Sequence, residues 1–243
     1  MAPAQNHALV IGAGSALAGA LVQRLLEQQR VAQVLAVSRQ PAPAALPPAV
    51  QWHQSDYDEP SMDGLIRQWR PLAGRFRYGF IFNGRLHDGE LQPEKKLEDI
   101  SVPQLQALFH SNTIIPALWL SRLRPLLKGG EHCVLTLLSA RIGSISDNHL
   151  GGWYGYRMSK AALNMLVQTA GIEYQRRAAN VSLLAYHPGT TDTPLSRPFQ
   201  SRVPQHKLFS AEQSAEYLLQ QVSRVTPEHQ VLFRDWQGQD IPW

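Results

Sequence analysis

His7-Ala8-Leu9-Val10-Ile11-Gly12-Ala13-Gly14-Ser15-Ala16-Leu17-Ala18-Gly19 stands near the start of the chain. A short apolar run ends in a turn of small residues, and Leu17, Leu21, Val22 and Leu25 follow at helical spacing. That is strand, glycine-rich turn, helix. Small residues let a backbone approach a phosphate closely, and free N–H groups at the helix start favour negative charge. Gly12, Ser15, Ala16 and Leu17 are therefore candidates to hold a pyrophosphate. The same composition also serves tight packing of helix on strand, and the turn alone does not choose between the two.

The alternation continues outward from this turn. Apolar runs over 31–37, 50–53, 78–82, 132–138, 181–186 and 230–233 read as further strands. Helical periodicity covers 61–70, 103–128, 153–177 and 210–225. Ser61 is a candidate N-cap. Pro103 and Gly129-Gly130 bracket the long helix 103–128, and Pro116 predicts a kink in it. The proline-rich stretch 41–48 reads as a surface loop. Strands alternating with helices imply an α/β fold, a parallel sheet covered on both faces. Right-handed crossovers make it doubly wound, with about seven strands in a single domain over 1–243. Ligands of such sheets bind beyond the carboxyl ends of the strands, near the point where strand order reverses.

Composition narrows the function classes. With 243 residues, 44% of them hydrophobic, the chain can bury one large core. The net charge of +4 is scattered, with no basic run longer than Lys95-Lys96 or Arg176-Arg177. That argues against nucleic acid and suits a small anionic ligand. The lone Cys133 lies in an apolar run and reads as a small buried hydrophobe. It cannot form an internal disulfide, so a reducing, cytoplasmic setting is expected. No apolar run is long enough for a bilayer, so no membrane partner is expected. The stretch 1–7 does not read as a leader. The nine histidines show no paired ligand spacing, so no metal site is expected.

The residues just after each strand carry the chemistry. Ser38 and Arg39 follow the second strand, where binders of the unphosphorylated dinucleotide place an acid for the ribose hydroxyl. A hydroxyl and a guanidinium suit a 2′-phosphate instead, which favours NADP(H) over NAD(H). Asp56, after the third strand, can accept from an adenine amino group or serve as an ordinary turn residue. Tyr156 and Lys160 are four apart at the start of a helix and so share one face. A phenol titrates near pH ~10. An ammonium about 4 Å away, at an effective dielectric of about 20, favours the phenolate by roughly 4 kcal/mol, or about three pKa units at most. The pair is then a tunable general acid and base. With seven tyrosines in the chain the spacing alone proves little; its company carries the weight. Ser139 ends the fifth strand with a hydroxyl able to bond a substrate oxygen, or to close a turn. Asn112 lies in the helix before that strand, where its amide can act in the site or bond the backbone.

Together, Tyr156 and Lys160, Ser139 upstream, Asn112 and the glycine-rich first turn resemble the short-chain dehydrogenase/reductase family over essentially the whole chain. The stretches 138–145 and 151–157 look like its C-factor and sniffer-like carbonyl reductase branch. So does the ending from Asp235-Trp236 to Ile241-Pro242-Trp243. His187-Pro188-Gly189-Thr190-Thr191-Asp192-Thr193 matches the family's Pro-Gly segment. The resemblance implies a Rossmann-type fold and a carbonyl–alcohol oxidoreductase. Tyr156 would protonate the carbonyl oxygen. Lys160 would lower the phenol's pKa and hold the nicotinamide ribose. Ser139 would orient the substrate, and Asn112 would support a relay water. NADPH would supply the hydride. Asn83-Gly84, Pro188, Gly189, Thr191 and Thr193 would complete the cofactor site, with Thr193 on the carboxamide. The family also implies a homodimer or homotetramer and a mobile lid at 194–208. In that segment Leu195, Phe199, Val203 and Leu208 stand among Arg197, Arg202 and Lys207, which suits an apolar carbonyl compound.

Three departures stand out. The family's Gly-x-x-x-Gly-x-Gly turn reads Gly12, Ala16, Ala18 here. Ser144 rivals Ser139 by spacing. Tyr154 is a second phenol, but Met158 stands where its lysine would be. A nucleotide-bound signalling protein of the same fold, without turnover, is the alternative. A sugar-nucleotide epimerase would need a longer C-terminal part.

Overall fold

Alternate residues of β1 (His7–Ile11) enter different cores, and this decides the layering. The computed structural model describes residues 6–243, the Arg202 side chain excepted. Residues 1–5 of the stretch read as no leader lie outside the described residues, as does the charge of Arg202. Leu9 and Ile11 point to one face, Ala8 and Val10 to the other. The same alternation runs through β2 (Gln33–Ser38), β5 (Cys133–Leu138) and β6 (Val181–His187), and through β4 (Phe76–Ile81) after a register shift at its first residues. Both faces need cover. The helices α1 (Ala16–Glu27) and α6 (Ala211–Ser223) supply it on one side. On the other stand α2 (Glu59–Trp69), α4 (Ile115–Leu127) and α5 (Tyr154–Arg177). With β3 (Val50–Gln54) and β9 (Val231–Asp235) the strand order is β3-β2-β1-β4-β5-β6-β9, parallel throughout. The chain is thus the expected doubly wound, seven-stranded Rossmann-type sheet. Strand order reverses between β1 and β4, which locates the ligand crevice.

The turn after β1 is built for close approach. Gly12 has φ +80°, and a Cβ there would lie 3.0 Å from the Phe82 carbonyl carbon. The N–H groups of Gly12 and Ala13 both donate to Val37 O at 2.9 Å, tying the turn to the end of β2. Ser15 caps α1 by accepting from the Ala18 N–H at 3.2 Å. Ala18 is buried among the apolar residues on that face, so its methyl contributes to packing.

Two expectations are corrected and one element is added. The helix expected over 103–128 is two helices, α3 (Val102–Phe109) and α4, joined by a π turn over His110–Ile114. The Ile115 N–H reaches back five residues to His110 O. Pro116 follows at once and has no N–H for the carbonyl of Asn112, so the ladder slips just before the proline. The cap of α2 is Asp58, not Ser61: the Ser61 N–H donates to Asp58 Oδ1 at 2.8 Å. Glu59 and Pro60 tolerate the first helical positions, so the helix starts earlier. A two-stranded pair, β7 (Thr190–Thr191) with β8 (Leu208–Phe209), was too short to show in the sequence pattern.

Cys133 is fully buried in the core, and burial pushes its thiol up to about 12. Among the described residues no helix is long and apolar enough to cross a membrane. Nor do three or more His, Cys, Asp or Glu residues gather as a metal site would need.

The core is tight where α5 crosses β9. A Cβ on Gly171 would overlap Val231 Cγ2. Gly171→Ala should cost about 1–3 kcal/mol of stability, as overpacking does. Urea unfolding should show a lower midpoint at an unchanged slope. Adding Val231→Ala should restore part of the loss; a fully additive double mutant would refute the contact.

Candidate active site

A cavity of about 840 Å³ opens at the reversal of strand order. Its wall begins at the first turn with Gly14, Ser15, Ala16 and Leu17. It continues past Asn83 and Gly84 after β4, and Ser139 and Ala140 after β5, to Tyr156 and Lys160 on α5. Pro188, Gly189, Thr191 and Thr193 after β6 close the far side. Segments far apart in sequence meet here because parallel strands all end on one edge of the sheet.

The first turn of α5 is held from outside the helix. Trp153, just before it, is left-handed at φ 53°, ψ 45° and supplies no side-chain cap. Such a backbone costs an aromatic residue on the order of 1–2 kcal/mol. Glu94 compensates. Its carbonyl accepts from the Trp153 N–H at 2.6 Å, and its buried carboxylate accepts from the Gly155 N–H at 3.2 Å. Negative charge at a helix start is favoured. Trp153 then packs on Phe199, with ring centres 4.8 Å apart, and edge-on to Tyr156 at 6.4 Å. His87 reaches the carbonyl of Leu195 at 3.0 Å. The segment with Leu195, Phe199 and Val203 thereby forms one wall of the cavity.

Tyr156 and Lys160 are neighbours on the cavity wall as expected, but the lysine's hydrogen bond goes to the strand end. Lys160 Nζ donates to Leu138 O at 2.6 Å and stands 5.9 Å from the centre of the Tyr156 ring. Burial dominates both groups. It pushes the Tyr156 phenol up to about 12 and the Lys160 amine down to about 7. The ammonium's attraction alone would lower the phenol's pKa, but desolvation has the opposite sign for the phenol and prevails. Gly84 lies beside this pair: a Cβ on it would be 3.5 Å from Lys160 Nζ.

Other candidates divide. Asn112 is fully buried; its Oδ1 accepts from the Arg85 N–H at 2.6 Å and its Nδ2 donates to Arg85 O at 2.9 Å. It clamps the chain after β4 and does not line the cavity. Ser139 Oγ is buried and donates to Asn164 Oδ1 at 2.5 Å. The rival Ser144 donates to Pro242 O at 2.5 Å, away from the cavity wall. Ser38 is buried and accepts from the Gln40 N–H at 3.0 Å. Arg39 is exposed and lines a neighbouring depression of about 630 Å³ together with Arg85. Asp56 is exposed and lies off both walls. Thr191 is buried and shares a hydrogen bond with Ser214 at 2.7 Å.

Sequence reading missed Glu94, Trp153, Asn164 and His187 as site residues, while Phe199 of the expected lid does line the cavity. Glu94 sits in an irregular stretch 61 residues before its partner Gly155, with no local pattern to flag it. Gly151-Gly152 before Trp153 was the one available signal of an unusual backbone. His187 lines the cavity, burial lowers its imidazole to about 4, and its Nδ1 has no protein partner.

No family model matches the chain. Among curated proteins it is 34% identical to a 1-hydroxy-2-glutathionyl-2-methyl-3-butene dehydrogenase of a Rhodococcus species, over 54% of this chain and 55% of that one. The chain thus spans about half the length of that relative. It is 32% identical to the C-signal protein of Myxococcus xanthus, over 60% of this chain and 83% of that protein. Among solved structures, the NADPH-bound carbonyl reductase from chicken fatty liver superposes with a TM-score of 0.81 at 22% identity, covering 98% of this chain and 99% of that one. The fold, the Tyr-x-x-x-Lys helix at the strand ends and these likenesses agree: the chain belongs to the short-chain dehydrogenase/reductase family.

Proposed function

We propose that the chain is an NADP(H)-dependent oxidoreductase that interconverts a carbonyl and an alcohol, with Tyr156 as its general acid and base. One observation carries this reading. A single cavity joins the glycine-rich turn, the Tyr156 phenol and the 188–193 segment. Its volume lies within the range of cofactor sites. The likeness to a chicken carbonyl reductase with bound NADPH and to a Rhodococcus dehydrogenase supports it.

The residues present fit the dinucleotide. Asn83 Oδ1 and His187 Nδ1 are buried on the cavity wall with no protein partner. Gly14 keeps the turn open, since a Cβ there would lie 2.8 Å from Ser38 Oγ. Bound, the cofactor supplies a hydride. The chain's own residues do the rest. Gly12, Ser15, Ala16 and Leu17 offer backbone to the pyrophosphate. Ser38 and Arg39 take the 2′-phosphate, with Arg85 lining the same depression. Asp56 approaches the adenine, and Asn83 and Gly84 the adjoining ribose. Pro188, Gly189, Thr191 and Thr193 hold the nicotinamide end, and Lys160 its ribose. Tyr156 gives its proton to the carbonyl oxygen. With its pKa held up by burial, the phenol is protonated at neutral pH, the state that reduction needs. Asn112 acts by fixing Arg85 and the strand end beside Lys160. The 194–208 segment closes over an apolar carbonyl compound.

Met158, Met165 and Ile172 recur every seven residues on α5 as exposed apolar side chains. They support a homodimer or homotetramer through that helix. The likeness to C-signal supports a second reading, a nucleotide-bound signalling protein without turnover.

Three measurements test these readings. Tyr156→Phe should lower kcat for ketones, quinones and aldehydes by about 10²–10⁴-fold, with NADPH affinity little changed. Turnover that survives the change would sink the enzymatic role, and NADPH binding without any turnover would favour the signalling one. Arg39→Ala should weaken NADPH binding roughly tenfold or more, as loss of a charge-assisted contact does, while NADH binding stays level. Equal loss for both cofactors would remove Arg39 from the 2′-phosphate. Met165→Glu should shift light scattering of the purified protein toward the monomer mass, and an unchanged mass would exclude that face.

A further inference from the structure

The two residues that follow β5 divide the duties of a site serine. The backbone stays extended through Ala140, at φ −155° and ψ 144°, so the side chains at 139 and 140 point opposite ways. Ser139 borders the cavity too, but its hydroxyl is turned toward α5. Its hydroxyl has one proton, and that proton goes to Asn164 Oδ1 at 2.5 Å, between two side chains that are each less than 5% exposed. Asn164 lies on α5 four residues beyond Lys160 and eight beyond Tyr156, on the same helical face. Its Nδ2 has no partner, so among the described residues Ser139 is its one side-chain tie to the sheet. Ala140 lines the cavity with Tyr156 and brings only a methyl group.

We infer that this chain binds the reacting oxygen through Tyr156 without a serine donor, and that Ser139 is a positioning residue acting through Asn164. Position 140 is where a second donor is missing. The inference rests on the oxidoreductase reading and narrows it. A hydroxyl proton committed to a buried amide cannot also bond a substrate, and withdrawing it would leave the amide oxygen unpaired, which is costly. A donor aimed at developing charge accelerates such reactions by about 10²–10³ when fully aligned. A serine introduced at 140 should recover part of that.

The test uses the full chain with NADPH and three probes: phenanthrenequinone, acetophenone and benzaldehyde. Ala140→Ser should raise kcat about tenfold on at least one of them, a fraction of the aligned-donor effect, with KM and melting temperature little changed. Ser139→Ala and Asn164→Ala should each lower the melting temperature and lower kcat to a similar extent. The double variant should be no worse than either alone, because the two residues act as one unit. Flat or reduced turnover in a folded Ala140→Ser overturns the inference. So does a Ser139→Ala that loses kcat by a hundredfold at an unchanged melting temperature while Asn164→Ala keeps its rate. If Ala140→Ser fails to fold, the comparison of Ser139→Ala with Asn164→Ala decides alone. NADPH fluorescence titration separates the two levels. A wild type that binds no NADPH sinks the oxidoreductase reading, whereas NADPH binding with a flat Ala140→Ser sinks only this inference.

Discussion

The junction of α5 with the carboxyl end of β5 is the contact on which the site depends. Lys160 donates to Leu138 O and Ser139 donates to Asn164, so two hydrogen bonds, one partly and one fully buried, pin two successive turns of one helix to two successive residues of one strand end. Thr113 adds a third tie from the π turn by donating to Ser159 O at 2.8 Å. A bond from a charged donor is worth roughly 1.5–3 kcal/mol, and each of these groups would be costly if left unpaired. The result is a helix start whose Tyr156 has little freedom of position at the cavity wall.

That rigidity is built at some expense elsewhere. Trp153 takes a left-handed backbone so that α5 can begin abruptly against the cavity. A buried carboxylate, Glu94, sits at that helix start in place of an ordinary cap, and Gly155 must be small because Glu94, Leu105 and Leu108 crowd it. Arg141 bridges Asp147 and Asp235, fastening the loop after β5 to the edge strand β9. The strained backbone and the buried Glu94 side chain cluster beside the cavity, and regular packing on both faces of the sheet carries the stability that permits them.

Much of the architecture was legible in the sequence because its signals are local. Strand and helix periods, the turn after His7–Ile11 and the Tyr156–Lys160 spacing each lie within a few residues. The misreadings share a cause. The break in the long helix was assigned to Pro116, yet a missing N–H disturbs the ladder before the proline, over His110–Ile114. Ser61 was chosen as a cap by residue type, while Asp58 wins because its carboxylate reaches the right N–H. The phenol was assigned a falling pKa from one neighbour's charge, whereas desolvation raises it.

By itself the sequence determined the doubly wound sheet, the edge at which the cavity opens and the residue types that reach that edge. Strand and helix periodicity follow from backbone geometry and burial, and are written residue by residue. Only the tertiary structure decided what each polar group does. Asn112 clamps Arg85, Ser144 holds the C-terminal Pro242, and Ser139 gives its proton to Asn164. A hydroxyl or amide has few bonding partners to spend, and the ones it meets come from segments dozens of residues away, which no local pattern records.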